Sequence, residues 1–138
     1  MCLDRLKDIN DIASRGTGYK IVRKNMESLY SCNEYIFNRE KWNTDLKDIN
    51  INISNNRAYK SGFHIFRGLK DAVEYAYTFN CISSRYYDLW KIEYNDVVAF
   101  GLEEFRDSEQ YCEVIVAKEI RFIRKINIFE ILFAHFCK

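Results

Sequence analysis

The stretch YKSGFHIF at residues 59–66, followed by LKDAVEYA at residues 69–76, decides the fold of this chain. Strand-favouring aromatic and β-branched residues follow Gly62, whose missing Cβ permits a turn or a close backbone approach. After Gly68, apolar residues recur at the three-and-four spacing that forms one stripe on a helix. The pattern predicts a buried strand over residues 63–66 and a helix from Leu69 to about Asn80.

The composition is that of one globular domain. The chain has 138 residues, of which 48% are hydrophobic and 16% aromatic. A chain of this length can bury roughly two-thirds of the surface that its unfolded form exposes. The net charge of +1 provides no overall field for phosphate backbones or anionic lipid, so a nucleic-acid role would need a local basic patch.

Residues 3–37, which precede the central strand and helix, are predicted to contain one helix followed by short strands. Apolar residues recur every three or four positions in residues 3–13, which predicts an N-terminal helix. The sequence SRGTG at residues 14–18 should break that helix, and alternation then predicts a strand over residues 19–23. Residues 28–32 can pair back on it as a hairpin, and residues 35–37 can form a third short strand.

The remaining predicted elements lie in residues 43–56, before the central strand, and in residues 88–136, after the central helix. Residues 43–56 are rich in Asn and Asp and predict a surface loop. Alternating patterns predict further strands over residues 88–94, 97–100, 112–117 and 120–124, with a charged loop over residues 103–110. A last helix, residues 128–136, should be capped by Asn127.

These elements predict a single α+β domain over residues 1–138, with no linker or repeat dividing it. Its centre should be a mainly antiparallel sheet on which the N-terminal, central and C-terminal helices pack. The C-terminal helix is apolar on nearly all sides. It should therefore either lie deep in the core or form a homodimer interface through residues 128–136.

The cysteines and the absence of nucleotide-binding loops in the sequence limit the metals and cofactors that the chain is expected to bind. The five cysteines include no Cys-x-x-Cys pair and no cysteine–histidine cluster, so no metal site is expected. Neither a signal peptide nor an apolar run long enough to cross a bilayer is recognisable, which predicts a cytoplasmic protein with free thiols and no membrane partner. No Gly-x-Gly-x-x-Gly or Walker loop is present, and no cofactor is expected.

Short motifs along the chain resemble those of an uncharacterised family of small proteins from phages, large viruses and bacteria. The resemblance covers about residues 18–125 and rests on GYKIVR at 18–23, LYS at 29–31, GFHIF at 62–66 with Asp71-Ala72 downstream, WKIEY at 90–94 and AKEI at 117–120. It implies a viral or mobile-element context, with the host cytoplasm as the compartment. It assigns no catalytic residue.

A weaker resemblance is to ADP-ribosyltransferases, which bind NAD in a sheet cleft. Glu113 at the start of a late strand resembles the glutamate that orients the ribose in that family. Residues 19–23, ending at Arg23, resemble the first strand with its NAD-contacting residue. The family's serine motif is not recognisable at Ser61-Gly62.

Four residues are candidates for a catalytic role: His64, Glu113, Arg23 and Cys112. His64 could act as an acid or base, but a hydrogen-bonded structural histidine is the more common outcome on a strand between apolar residues. The simplest interpretation of Glu113 is a charged side chain that faces solvent. In the alternative, Glu113, His64 and Arg23 form a catalytic set. Cys112 is expected to be buried packing material, since nothing nearby in sequence would lower its pKa.

The leading interpretation is a non-catalytic binding module of phage or mobile-element type that docks on a host protein. Its most concrete version is an inhibitor of a host defence system such as an RNA-guided nuclease. The expected contact residues are two aromatic anchors and an acidic loop that imitates nucleic acid: Tyr86, Tyr87, Glu103, Glu104, Asp107 and Glu109. An NAD-using enzyme and a homo-oligomeric structural protein are the alternatives, and the balanced charge leaves nucleic-acid binding unsupported.

Overall fold

The computed structural model describes residues 3–28, 35–53, 57–78, 86–105 and 110–136. Over these residues the elements are, in chain order, β1 (Arg5–Leu6), a 3-10 turn (Ile9–Asp11), β2 (Arg15–Arg23), β3 (Asn43–Thr44), β4 (Asn50–Ile53), β5 (Arg57–Lys60), β6 (Phe63–Phe66), α1 (Leu69–Thr78), β7 (Tyr87–Glu104), β8 (Tyr111–Lys125) and α2 (Ile128–Phe136). The mainly antiparallel α+β architecture is confirmed, but with two α-helices instead of three.

Two long strands, β7 and β8, organise the main sheet. The strand order is β1-β7-β2-β6-β8-β3, and β7 also pairs with β8, so the pairings β7–β2, β2–β6, β6–β8 and β8–β7 form a closed circuit. Every pairing is antiparallel. A separate two-stranded sheet, β4–β5, lies beside it.

The central strand and helix form where the sequence predicts them. In β6, Phe63 to Phe66 pair with Ala117 to Val114 of β8. The helix α1 buries Ala72, Val73 and Ala76 against the sheet, as the three-and-four spacing requires. The predicted helix end at Asn80 lies outside the described residues.

Side chains on the two faces of the sheet form two apolar clusters. One contains the buried face of α1 with Ile21, Phe66 and Leu89. The other, on the opposite face, is rich in aromatic rings and includes Phe63 and Trp90. Two clusters follow from period-2 alternation in long strands that are covered on both sides.

The predicted N-terminal helix over residues 3–13 is wrong. Asp4 N and Lys7 N donate to Leu102 O and Phe100 O at 2.8 Å each, so the chain adds a short edge strand to β7. Asp8 then accepts a hydrogen bond from Asn10 N, which starts the 3-10 turn instead of a longer helix. An apolar period is a weak signal in so short a segment when a strand edge offers backbone partners.

Residues 14–18 are not an irregular segment before the predicted strand, because β2 begins at Arg15 and continues to Arg23. Its glycines are close-packing positions. A Cβ added at Gly18 would lie 2.5 Å from Ile65 Cγ2 and 2.8 Å from Phe66 O, and one at Gly16 would lie 2.7 Å from the Tyr94 hydroxyl. These glycines let the backbone approach its neighbours within the sheet.

The four strands that the sequence predicts after α1 form only two long strands, β7 and β8. Residues 88–94 and 97–100 belong to β7, and residues 112–117 and 120–124 belong to β8. At Asp96 the backbone has a φ of 59°, and the β7–β8 register shifts between Val97 and Ala99. Asn95 and Asp96, which precede Val97, therefore introduce an irregularity into β7 without ending the strand.

The predicted loop over residues 43–56 contains structure. Asn43 and Thr44 pair with β8, and the buried Asn43 side chain donates to Asn38 O at 3.0 Å. Residues 50–53 pair with β5 as a hairpin arm. The hairpin predicted at residues 28–32 lies largely outside the described residues, and the strand predicted at 35–37 is one isolated bridge, between Ile36 and Glu27.

The C-terminal helix α2 forms as predicted, with Asn127 as its cap. Glu130 N donates to Asn127 Oδ1 and Asn127 N donates to Glu130 Oε2, both at 2.9 Å. The helix does not lie deep in the core. Ile131 and Ala134 pack on the α1 cluster, while much of its remaining surface is exposed.

Candidate functional site

A cavity of about 140 Å³ opens between α1, α2 and the ends of β2, β7 and β8. Its walls are mostly aliphatic and come from β2, β7, the two helices and the segment between β8 and α2: Ile21, Val73, Ala76, Leu89, Ile126, Ile128 and Ile131. The cavity exists because α2 returns along α1 after Ile126, whose main-chain N–H is held by Leu89 O at 2.8 Å. This position leaves a space between the two helices and the sheet.

Charged residues sit at the mouth of this cavity. Lys24 Nζ lies 3.6 Å and Lys125 Nζ lies 3.3 Å from the same oxygen, Asp88 Oδ1. The two lysines are exposed, whereas the Asp88 side chain is only 11% exposed. One carboxylate thus serves two ammonium groups, and the mouth carries a formal charge of about +1.

An open groove continues from the cavity past Tyr87. Arg23, Lys24, Asn25, Tyr86 and Tyr87 line it. The turn after β2 shapes the groove: Lys24 N donates to Tyr86 O at 3.0 Å, and Met26, with a φ of 65°, donates to Arg23 O at 2.8 Å. The structure therefore places Arg23 beside the two tyrosines that the sequence suggested as anchors.

The outward side of α2 is apolar. Phe129, Phe133 and Phe136 are 79%, 70% and 70% exposed, and Leu132 is exposed beside them. We call these four residues the α2 face. On the inner side, the His135 ring stacks on Tyr77 with centroids 3.8 Å apart, and this contact holds the helix against α1.

His64 is part of the interior packing and has no carboxylate partner among the described residues. Its Nε2 lies 3.3 Å from the Tyr59 hydroxyl, which also accepts a hydrogen bond from Leu3 N. Desolvation, with a smaller contribution from the Lys20 charge, lowers the pKa of His64 to about 3. Lys20 itself donates to the His64 main-chain oxygen at 2.8 Å. With this pKa the imidazole is neutral at pH 7.

Glu113 does not meet His64 or Arg23. His64 pairs with Val116 of β8, so these two side chains lie on the same face of the sheet. Glu113 lies three residues before Val116, and side chains alternate along a strand, so Glu113 lies on the opposite face. Arg67 Nη1 lies 2.6 Å from Glu113 Oε2, and this hydrogen bond lowers the carboxyl pKa. Arg23 pairs with Tyr87, at the other end of β7 from the partner of Glu113.

Glu103 does not lie in the charged loop that the sequence predicts over residues 103–110. This residue lies in β7 and is buried, and its pKa is raised to about 8, chiefly by desolvation. The Tyr75 hydroxyl donates to Glu103 Oε1 at 3.4 Å. Glu104 is half-buried in the same strand, and Asp107 and Glu109 lie outside the described residues. Cys112 is buried, and desolvation raises its pKa to about 12, as expected of a packing residue.

One cluster was not recognised from the sequence. The Trp42 ring lies near the guanidinium groups of both Arg15 and Arg121, whose central carbons are 5.7 and 5.2 Å from the ring centre. Both arginines also bind Glu93 Oε1, at 3.1 and 3.0 Å. The shared carboxylate and the distance of these residues along the chain explain why no local pattern revealed the cluster.

No known protein family, curated protein or solved structure matches this chain. Within the described ranges, no group of three or more His, Cys, Asp or Glu side chains is placed to hold a metal ion. Neither described helix has the length and apolar run that crossing a bilayer requires.

Proposed function

We propose that the protein is a non-catalytic binding module that docks on a protein partner through the α2 face. The observation that carries this proposal is the exposure of three phenylalanines on one short, capped helix. Large exposed apolar patches are uncommon on monomeric proteins and usually mark interaction sites.

The spacing of the α2 face suits recognition by a groove. Phe129, Leu132, Phe133 and Phe136 stand at i, i+3, i+4 and i+7, the arrangement with which an amphipathic helix fills a hydrophobic groove. The cap at Asn127 and the stacking of His135 on Tyr77 hold the helix before binding. A preformed helix lowers the entropy cost of association.

The groove beside the α2 face favours an acidic partner surface. Tyr86 is exposed and Tyr87 half-exposed, and both lie among Arg23, Lys24 and Asn25. Tyrosines with a cationic rim are typical interface components, because the rings bury area and the charges select the partner. This assignment replaces the acidic loop as the charged part of the docking surface.

The motif resemblance to proteins of phages and large viruses favours a host protein as the partner. The most specific version of the proposal is inhibition of an RNA-guided defence nuclease. In that version, coexpression with such a nuclease should restore growth of an otherwise targeted phage or plasmid, and the effect should depend on the α2 face.

The test compares two double variants that remove similar exposed apolar surface. Phe129→Ser/Phe133→Ser changes the α2 face, whereas Ile36→Ser/Leu46→Ser changes residues that are 74% and 89% exposed elsewhere. Partners captured from an extract of the host should be lost with the first variant and retained with the second. Purified partner should then bind wild type at least about tenfold more tightly than Phe129→Ser/Phe133→Ser.

Equal binding by both double variants would overturn the proposal. So would light scattering that shows a stable dimer abolished by Phe129→Ser/Phe133→Ser, because the α2 face would then be covered by a second copy. That result would favour the homo-oligomeric alternative.

A further inference from the structure

The cavity between α1 and α2 has the size and lining of a small-ligand site. Its volume of about 140 Å³ is close to that of an engineered core cavity of about 150 Å³ that binds benzene. Aliphatic side chains form most of its wall, with Val73 and Ala76 on α1 and Ile128 and Ile131 on α2. An apolar group of about six carbon atoms therefore fits the interior.

The mouth of the cavity selects for negative charge. Lys24 and Lys125 both approach one oxygen of Asp88, at 3.6 and 3.3 Å, so the second ammonium charge is not neutralised within this cluster.

We propose that this cavity binds a small apolar carboxylate, such as a medium-chain fatty acid. The hydrocarbon lies among the aliphatic residues, and the carboxylate lies at the mouth against Lys24 and Lys125, whose two positive charges the single Asp88 carboxylate does not balance. Cationic ligands are disfavoured by the two lysines, and neutral apolar ligands gain nothing from them. The inference concerns the space beneath α2 and does not rest on docking through the α2 face.

The test is a titration of the full chain with butanoate, hexanoate, octanoate and dodecanoate, each below its micelle concentration, followed by NMR or calorimetry. Affinity should rise by about fourfold per added methylene while the chain enters the cavity. It should level off beyond octanoate, because about six carbons fill the space. Octanol should bind several-fold more weakly than octanoate.

Two variants localise the site. Ala76→Leu places three more carbon atoms in the cavity and should abolish binding of octanoate and octanol alike. Lys125→Gln, at an exposed position, should weaken octanoate binding by about three- to tenfold and leave octanol binding unchanged. Lys70→Gln, on the exposed side of α1, is the matched control and should change neither affinity.

Absence of saturable octanoate binding to wild type would overturn the proposal. Affinity that keeps rising to dodecanoate, or that survives Ala76→Leu, would indicate adsorption on the outer surface and would also overturn it. If octanoate binds as predicted while Phe129→Ser/Phe133→Ser loses no protein partner, the docking proposal fails and the ligand site stands.

Discussion

Asn127 and Glu130 cap the last helix reciprocally: the side chain of each accepts a hydrogen bond from the main-chain N–H of the other, at 2.9 Å. This arrangement satisfies two N–H groups that a helix start leaves without intrahelical partners. It sets the orientation of α2, on which both the α2 face and the cavity depend.

Replacing Asn127 by Ala should lower the free energy of unfolding by about 1 kcal/mol, because one capping bond is lost. Urea unfolding measures the change. Asn10→Ala is the control, since the exposed Asn10 takes part in its turn through its main chain. Equal effects of the two substitutions would argue against a capping role for Asn127.

Gly18→Ser should destabilise the protein by about 2 kcal/mol or more, because the new Cβ meets Ile65 Cγ2 and the Phe66 carbonyl oxygen. Gly68→Ser is the matched control. A Cβ at Gly68 meets nothing within 4 Å, and serine suits the position before α1. Thermal unfolding should separate the two variants clearly, and similar melting temperatures would contradict the packing argument.

Glu103→Gln should stabilise the protein above neutral pH by about 1 kcal/mol. Burial raises the pKa of Glu103 from its ordinary 4.5 to about 8. The folded state therefore holds a proton that the unfolded state has released, and stability falls as pH rises from 4.5 through 8. Glutamine resembles the protonated acid and should remove this fall. Glu40→Gln, at an exposed position, is the matched control and should not give this gain in stability.

His64→Gln should flatten the acid side of the same profile. The pKa of His64 is lowered from 6.5 to about 3, so below pH 6.5 the unfolded chain binds a proton that the folded chain does not. Stability contributed by the neutral imidazole is present above pH 6.5 and is lost as pH falls toward 3. Tyr59→Phe keeps the imidazole and should retain the acid loss. An unchanged acid slope in His64→Gln would contradict the assignment.

Glu113→Gln should change stability by less than about 1 kcal/mol, since its pairs with Arg67 and Lys7 are partly exposed. NAD should produce no shift in the melting temperature of the wild-type protein. A shift that is present in the wild type and absent in Glu113→Gln would instead support the ADP-ribosyltransferase alternative.

Part of the candidate site could be predicted from sequence. Residue type alone favours Tyr86 and Tyr87 as interface anchors, whereas Arg23 is suggested only by the resemblance of residues 19–23 to a strand of ADP-ribosyltransferases. Their association with Lys24, Asp88 and Lys125 was not foreseen, because Asp88 joins two lysines about a hundred residues apart in the chain. Sequence alone predicts Glu103 in a charged loop, because its burial in β7 depends on neighbouring strands that no local pattern specifies.

Local sequence alone determined β6, α1 and the cap of α2, because short-range periodicity and side-chain-to-backbone hydrogen bonds favour these elements wherever they lie. Only the tertiary structure decided that residues 3–7 join a sheet edge, that Asp96 bends β7 without ending it, and that the phenylalanines of α2 face outward. Each of these depends on partners distant in the chain, and no local pattern encodes which backbone edge or helix face is already occupied.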